Sequence, residues 1–320
     1  MNRAVDETLV WLLEPENPSA RALALQHLAG RPAGDRELEA ARAAIPGWGP
    51  ARDILAAQWP AGYWMAPGVG YSPRHKATVW QVIFLAALGA PRAEAIDAAC
   101  AHVLDHSRLP DGRFSAGRTA RQATAGLNGN LLRAFGQLGY EDPRLLETAE
   151  ALADLALRPR ARRHAGHGAE GPGLAAAARS LAGLASIPEP LRSPAMVEAM
   201  GMAAESLLAE GGHALLQEES TAWQRLGFPP ADAPDLLEAI EALVETGHGA
   251  DPRLAAAVDL VRSKRDRDGR WPLERTPGNT WGSFGQVNRP NKWVTIRALR
   301  CLAPPTPLPM PGSEKTSLSS

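Results

Sequence analysis

Five stretches of the chain are apolar on nearly every face when wound as a helix: residues 79–88, 131–138, 174–187, 236–244 and 294–302. Between them run segments with a single apolar stripe. In one, Ile96, Ala99, Cys100, Val103 and Leu104 fall at helical spacing, with Glu94, Asp97 and Asp105 opposite. In another, Met196, Val197, Met200, Ala203, Leu207 and Leu208 do the same. A helix that is apolar all round is covered on all sides, while a striped helix keeps one wet face. The alternation predicts an inner ring of buried helices inside an outer ring. No strand-length alternation stands out, so the expected fold class is all-α.

The punctuation agrees with this division. Asp142-Pro143, Ser193-Pro194 and Asp251-Pro252 each set a capping side chain before a proline suited to the first helical turn, opening an outer helix. Gly89, Gly139 and Gly247 stand where inner helices should stop. Turns bearing a glycine and an aromatic precede the apolar helices: QWPAGYW at 58–64, LPDGRF at 109–114 and RDRDGRW at 265–271. Blurred counterparts lie near Arg163 to Gly166 and at Gly211-Gly212. A unit of about fifty residues thus recurs about five times, which implies a stacked or closed array. Residues 1–49 read as an N-terminal helical extension, 50–302 as the repeat domain, and 303–320 as a disordered Pro/Ser-rich tail.

Bulk properties narrow the function. The 320 residues carry a net charge of −1, so no global field draws nucleic acid or anionic lipid. The run from Arg158 to Arg163 reads as a solvated loop. Two cysteines, Cys100 and Cys301, lie far apart inside helical patterns and suit a reducing compartment. The acidic N-terminal stretch lacks signal-peptide character, and residues 78–90 are too short to span a bilayer. A cytoplasmic protein without an integral membrane segment is expected.

Gln58, Gly62 and Trp64, with DGRW at 268–271, resemble the glutamine–glycine–tryptophan turns of the prenyltransferase and squalene-oxidase repeat superfamily. That superfamily includes the terpenoid cyclases and the β-subunits of protein prenyltransferases. KATVWQVIFLAALGAP (76–91), LNGNLLRAFGQLGY (127–140), WQRLGFP (223–229) and NKWVTIRALR (291–300) look like a bacterial group within it of unassigned activity. The resemblance spans roughly residues 12–302 and implies an α/α toroid, or α/α barrel, of about five helix hairpins around a central cavity. The DxDD acid motif of class II cyclases and the DDxxD motif of class I synthases do not occur. The cysteines are not placed for the zinc site of the prenyltransferase subunits. No metal and no cofactor is therefore expected.

The toroid gathers inner-helix N-termini at one mouth, where partial positive charge suits an anion. Residues at those starts form the candidate substrate site: His75, Lys76, Trp80, Asn128, Asn130, Lys292, Trp293 and Arg297. Asp232 and Asp235 are the candidate catalytic acids, since an aspartate in an apolar cavity gains proton-donor character. The alternative reading has either aspartate capping the following helix, and Lys76, Lys292 and Arg297 pairing with Asp232, Asp235 or Glu274. Aromatics cluster in the first and last repeats, which a closed ring makes neighbours; their arc suits an apolar ligand. Trp64 and Trp271 are expected to clamp turns. His102 and His106, four apart on an outer helix, read as a solvated face, as do His164 and His167 in their loop.

The reading is a terpenoid-cyclase-like toroid that acts on, or binds, an isoprenoid or other hydrophobic molecule. If an enzyme, it is a cyclase- or prenyltransferase-like transferase or isomerase. The alternative is a non-catalytic module for a hydrophobic ligand or a protein partner. A third reading, a prenyltransferase β-subunit, requires zinc and a helical partner.

Overall fold

The computed structural model describes residues 3–158, 174–209, 216, 223–231 and 234–302, with side chains from Glu7 onward. The turns near Arg163 and Gly211, His164, His167, Asp232 and the 303–320 tail lie outside the described residues. Within them the chain is all-α, with no named strand. Among these residues no helix is long and apolar enough to cross a membrane.

Six helices line the barrel axis: α2 (Pro18–His27), α5 (Thr78–Ala87), α7 (Ala125–Gln137), α9 (Leu174–Ala185), α11 (Leu236–Glu245) and α13 (Lys292–Leu302). From α5 to α13 each packs on the next in that order, and α13 packs on α2. The ring closes where Ser19 Oγ of α2 donates to Leu88 O after α5 (2.6 Å). Outside stand α1 (Arg3–Leu12), α3 (Arg36–Ala44), α4 (Gly49–Ala56), α6 (Glu94–Ser107), α8 (Pro143–Leu157), α10 (Pro194–Leu208) and α12 (Ala255–Ser263). The protein is an α/α toroid. Helix α2 belongs to the ring although it is short and its apolar residues are mostly alanine.

The three clear turns are built alike. In each, an N–H to C=O bond crosses the loop: Trp59 to Tyr63 (2.9 Å), Leu109 to Arg113 (2.8 Å) and Asp266 to Arg270 (2.8 Å). Gly62, at φ 83°, sits in the left-handed region, and a Cβ there would stand 2.4 Å from Ala98 O on α6. The aromatic after each turn is a clamp. Trp64 donates its indole N–H to Ile54 O on α4 (2.7 Å) and its backbone N–H to Thr78 Oγ1 on α5 (3.1 Å). Trp271 repeats both bonds, with Val261 O on α12 (2.7 Å) and Thr295 Oγ1 on α13 (3.0 Å). Phe114, which has no indole N–H, keeps only the backbone bond, to Asn128 Oδ1 (2.7 Å). These clamps set the spacing between an outer helix and the inner helix after it.

Sequence and structure differ at two surface positions. Val197, placed in the apolar stripe of α10, is 58% exposed; Ala199 and Ala204 take the buried face instead. His102, read as solvated, is buried, with Nε2 at 3.1 Å from Gly68 O and its ring on Tyr63. Burial lowers its pKa first, the Gly68 carbonyl opposes, and His106 lowers it further. Small residues let the inner helices approach closely. At the α7–α9 crossing a Cβ on Gly129 would lie 2.1 Å from Arg179 O, and one on Gly183 would lie 2.6 Å from Gly129 Cα. Gly129→Ala must force these helices apart and is expected to cost about 2 kcal/mol or more. Urea unfolding monitored by circular dichroism measures it; an unchanged midpoint would show that the crossing yields freely.

Candidate functional site

Helix α11 carries acids within an otherwise apolar sequence: Asp235 at its N-cap, then Glu238, Glu241 and Glu245. The steps of three, three and four residues keep them on one face. That face looks into the barrel, and arginines from three other helices meet it. Arg297 of α13 grips Asp235 with two N–H groups, at 3.1 and 3.0 Å. It also donates to Glu241 Oε2 from Nε and Nη2, at 3.0 and 2.9 Å. Arg179 of α9 donates to Glu238 Oε2 (3.1 Å). Arg300 of α13 donates to Glu241 Oε1 (3.3 Å) and Glu245 Oε1 (2.6 Å). Arg133 of α7 reaches the same Glu245 oxygen (2.9 Å).

Four carboxylates and four guanidinium groups therefore form one balanced ladder along the axis. Burial by itself would raise the pKa of Glu241, but Arg297, Arg300 and Arg133 outweigh it and hold the carboxyl below its ordinary value. Burial opposes the charge of Arg297 too, and Asp235, Glu241 and Glu238 override it and raise that pKa.

The ladder borders two cavities. The larger, about 480 Å³, has Ala86, Gly136, Ala182, Ala185, Phe228 and Trp293 among its apolar walls. It opens among the last turns of the inner helices, where His27, Gln137, Glu245 and Arg300 stand. The smaller, about 220 Å³, lies at the opposite, N-terminal mouth, between His75, Asp235 and the 275–278 loop. The larger cavity thus opens at the end away from the helix N-termini where the candidate substrate residues were placed. Loops 227–231 and 275–278 line the smaller cavity at that end.

The candidate residues divide accordingly. Asn130, Trp293 and Arg297 line the central cavity, and His75, Asp235 and Arg297 line the smaller one. The other candidates serve elsewhere. Asn128 holds Phe114 through both its N–H and its carbonyl, at 2.7 and 3.0 Å. Trp80 donates to Tyr71 O (2.8 Å), Lys76 Nζ lies 4.2 Å over the Trp281 ring, and Lys292 pairs with Glu14 (2.8 Å). Glu274, weighed as their partner, binds Lys264 (2.7 Å). Asp235 caps α11 through Glu238 N (3.0 Å) and accepts Gly227 N (2.6 Å), so with Arg297 both of its oxygens are occupied.

The first and last repeats do join their aromatics. Phe84 meets Phe284 (5.4 Å), which meets Phe228 (6.0 Å), which stacks flat on Trp293 (4.8 Å, 3°). The Trp293 indole N–H is bound by Ser19 Oγ (2.9 Å), fixing the ring as a wall. Neither thiol enters the site. Cys100 is buried and its pKa is pushed up to about 12; burial also raises Cys301.

Sequence reasoning passed over Arg133, Arg179, Glu238, Glu241, Arg300 and His27. The signal for most of them was present: a charged residue inside an all-round apolar helix must find a partner. His27 is exposed at the end of α2, where it lines the cavity. Burial first, then Arg300, lowers its pKa to about 4, with Glu241 opposing and Arg133 and Arg42 adding to the fall.

No protein-family model and no curated protein matches the chain. Among solved structures it is similar to two of the type II terpene cyclase MstE from Scytonema. The one in complex with the product merosterolic acid A is 13% identical, with a TM-score of 0.31. The one with the substrate geranylgeranyl dihydroxybenzoate is 14% identical, with a TM-score of 0.30. Each match covers 90% of this chain and 97% of the other.

Two outcomes follow. Asp235→Asn leaves a buried guanidinium short of one anion and should cost about 3 kcal/mol in chemical denaturation; a loss under about 0.5 kcal/mol would contradict the ladder as a structural unit. With its pKa lowered from the ordinary 6.5 to about 4, chiefly by burial, His27 takes up its proton at lower pH in the folded protein than in the unfolded chain. Stability present above pH 6.5 is therefore lost as pH falls through that window. Melting temperatures from pH 7 to 4 should drop less steeply for His27→Gln than for the wild type, and parallel curves would count against this assignment.

Proposed function

We propose that this toroid is a binding protein for a hydrophobic molecule of the isoprenoid class, held in the central cavity. The observation that carries the reading is the cavity itself. It has a rigid aromatic wall of Phe228 on Trp293 facing small residues of α7 and α9, within the size range of small-molecule sites. Alanine and glycine at Ala134, Gly136, Ala182 and Ala185 make room where leucine would fill it. The resemblance of the turn repeats to those of terpenoid cyclases supports an isoprenoid among apolar ligands.

Binding is favoured over cyclisation initiated by Asp235 by the state of that side chain. An acid catalyst must present its proton to the substrate in the cavity. Both oxygens of Asp235 are instead committed to backbone N–H groups and Arg297.

Filling the cavity tests the reading without unpairing a charge. Ala185, half-buried on the cavity wall, accepts a larger side chain only at the expense of that space. In calorimetric titration the wild type should bind farnesol or geranylgeraniol, and Ala185→Phe should weaken that binding about tenfold or more, a loss of about 1.4 kcal/mol. Its melting temperature should stay near that of the wild type. Equal binding by the two proteins would put the ligand elsewhere, and no heat from either alcohol in the wild type would remove the proposal.

A further inference from the structure

The mouth of the central cavity is not symmetric in charge. Inner-helix C-termini bring carbonyl groups with partial negative charge to it, and basic side chains belong there. Three are present: His27 at the end of α2, Arg133 on α7 and Arg300 on α13. The carboxylate nearest the opening is Glu245, the last residue of α11. One of its oxygens, Oε1, receives both Arg133 Nη2 (2.9 Å) and Arg300 Nη2 (2.6 Å). Its other oxygen accepts no hydrogen bond from a described residue, and Arg133 makes no other hydrogen bond among them. Two guanidinium groups thus share a single oxygen, which leaves N–H donors in surplus at the opening.

Position in the ring adds to this. Helix α9 stands between α7 and α11, so the Arg133–Glu245 bridge passes across the small residues Ala182, Ala185 and Ser186 of α9. It spans part of the opening. Glu245 also differs from its neighbours in mobility of charge. Its side chain is 30% exposed, against 4% for Glu241 and 7% for Glu238. A carboxylate at the water's edge can trade a guanidinium partner for water at little cost, and a fully buried one cannot.

We propose that the mouth is an anion site held closed by Glu245. A ligand with a hydrophobic tail and a terminal carboxylate or phosphate sets its oxygens on Arg133 and Arg300. Glu245 swings out to solvent, and the tail runs inward along Phe228 and Trp293. Guanidinium groups suit either headgroup, since both offer paired anionic oxygens. This assignment rests on the cavity-binding reading and specifies the polar end of the ligand.

Three probes with one tail test it: farnesyl phosphate, farnesoate and farnesol, titrated calorimetrically into the wild type, Glu245→Gln and Arg133→Gln. The wild type should prefer both anions to the alcohol by about tenfold. Glu245→Gln should raise the anion-to-farnesol affinity ratio several-fold further, and Arg133→Gln should bring that ratio close to one. The tighter of the two anions identifies the headgroup. Histidine NMR adds a second readout: bound farnesoate should raise the His27 pKa above about 4, and farnesol should not. Equal affinities for all three probes in all three proteins would overturn the anion site and leave the hydrophobic cavity standing. Failure of every probe to bind the wild type would overturn both.

Discussion

The ladder of ion pairs along α11 is the constraint on which the barrel depends. Asp235, Glu238 and Glu241 are buried at the axis of the ring, where an unpaired charge costs several kcal/mol, and Glu245 continues their face to the rim. Their partners come from α7, α9 and α13, so satisfying the acids fixes the rotation and height of three other helices at once. An apolar face could slide by a turn and still be buried. A guanidinium bound to both oxygens of Asp235 and to Glu241 cannot. The tight α7–α9 crossing at Gly129 and Gly183 lies beside the Arg179 backbone, and the Arg179 side chain meets Glu238 on α11.

The same ladder shapes the space available to a ligand. Arg297 and Glu238 border both cavities, so the charged groups separate a small polar pocket under the N-terminal loops from a larger, mostly apolar one opening at the other end. On one side of the larger space the rings of the first and last repeats make a fixed wall; on the other, alanines and glycines leave room. A polar floor, an apolar wall and a charged rim are what a molecule with one hydrophobic and one polar end requires.

Much of this architecture was legible in the sequence. The repeated turns announced the closed ring, and the turn aromatics proved to be clamps because the spacing from Trp64 to Thr78 matches that from Phe114 to Asn128. That match also explains why Asn128 was misleading as a site residue: its position at the start of an inner helix is that of a clamp partner. The candidate site was less legible. Asn130, Trp293 and Arg297 do line the cavity, while Lys76, Trp80 and Lys292 stand one helical face away, on Trp281, Tyr71 and Glu14. A residue's place in a repeat tells which end of the barrel it occupies, and only its helix's rotation tells whether it points inward.

The sequence by itself determined that these segments are helices, that five of the six inner ones are buried, and where capping residues and glycines bound several of them. Each is a consequence of local periodicity, capping chemistry and turn geometry, which act over a few residues. Only the tertiary structure decided that Arg133 meets Glu245 across 112 positions, that Arg297 takes both Asp235 and Glu241, and that the large cavity opens among helix C-termini. Those outcomes depend on the relative height and rotation of helices around a closed ring, and no local pattern carries that information. They are set jointly, by the requirement that every charge placed inside the barrel finds its partner there.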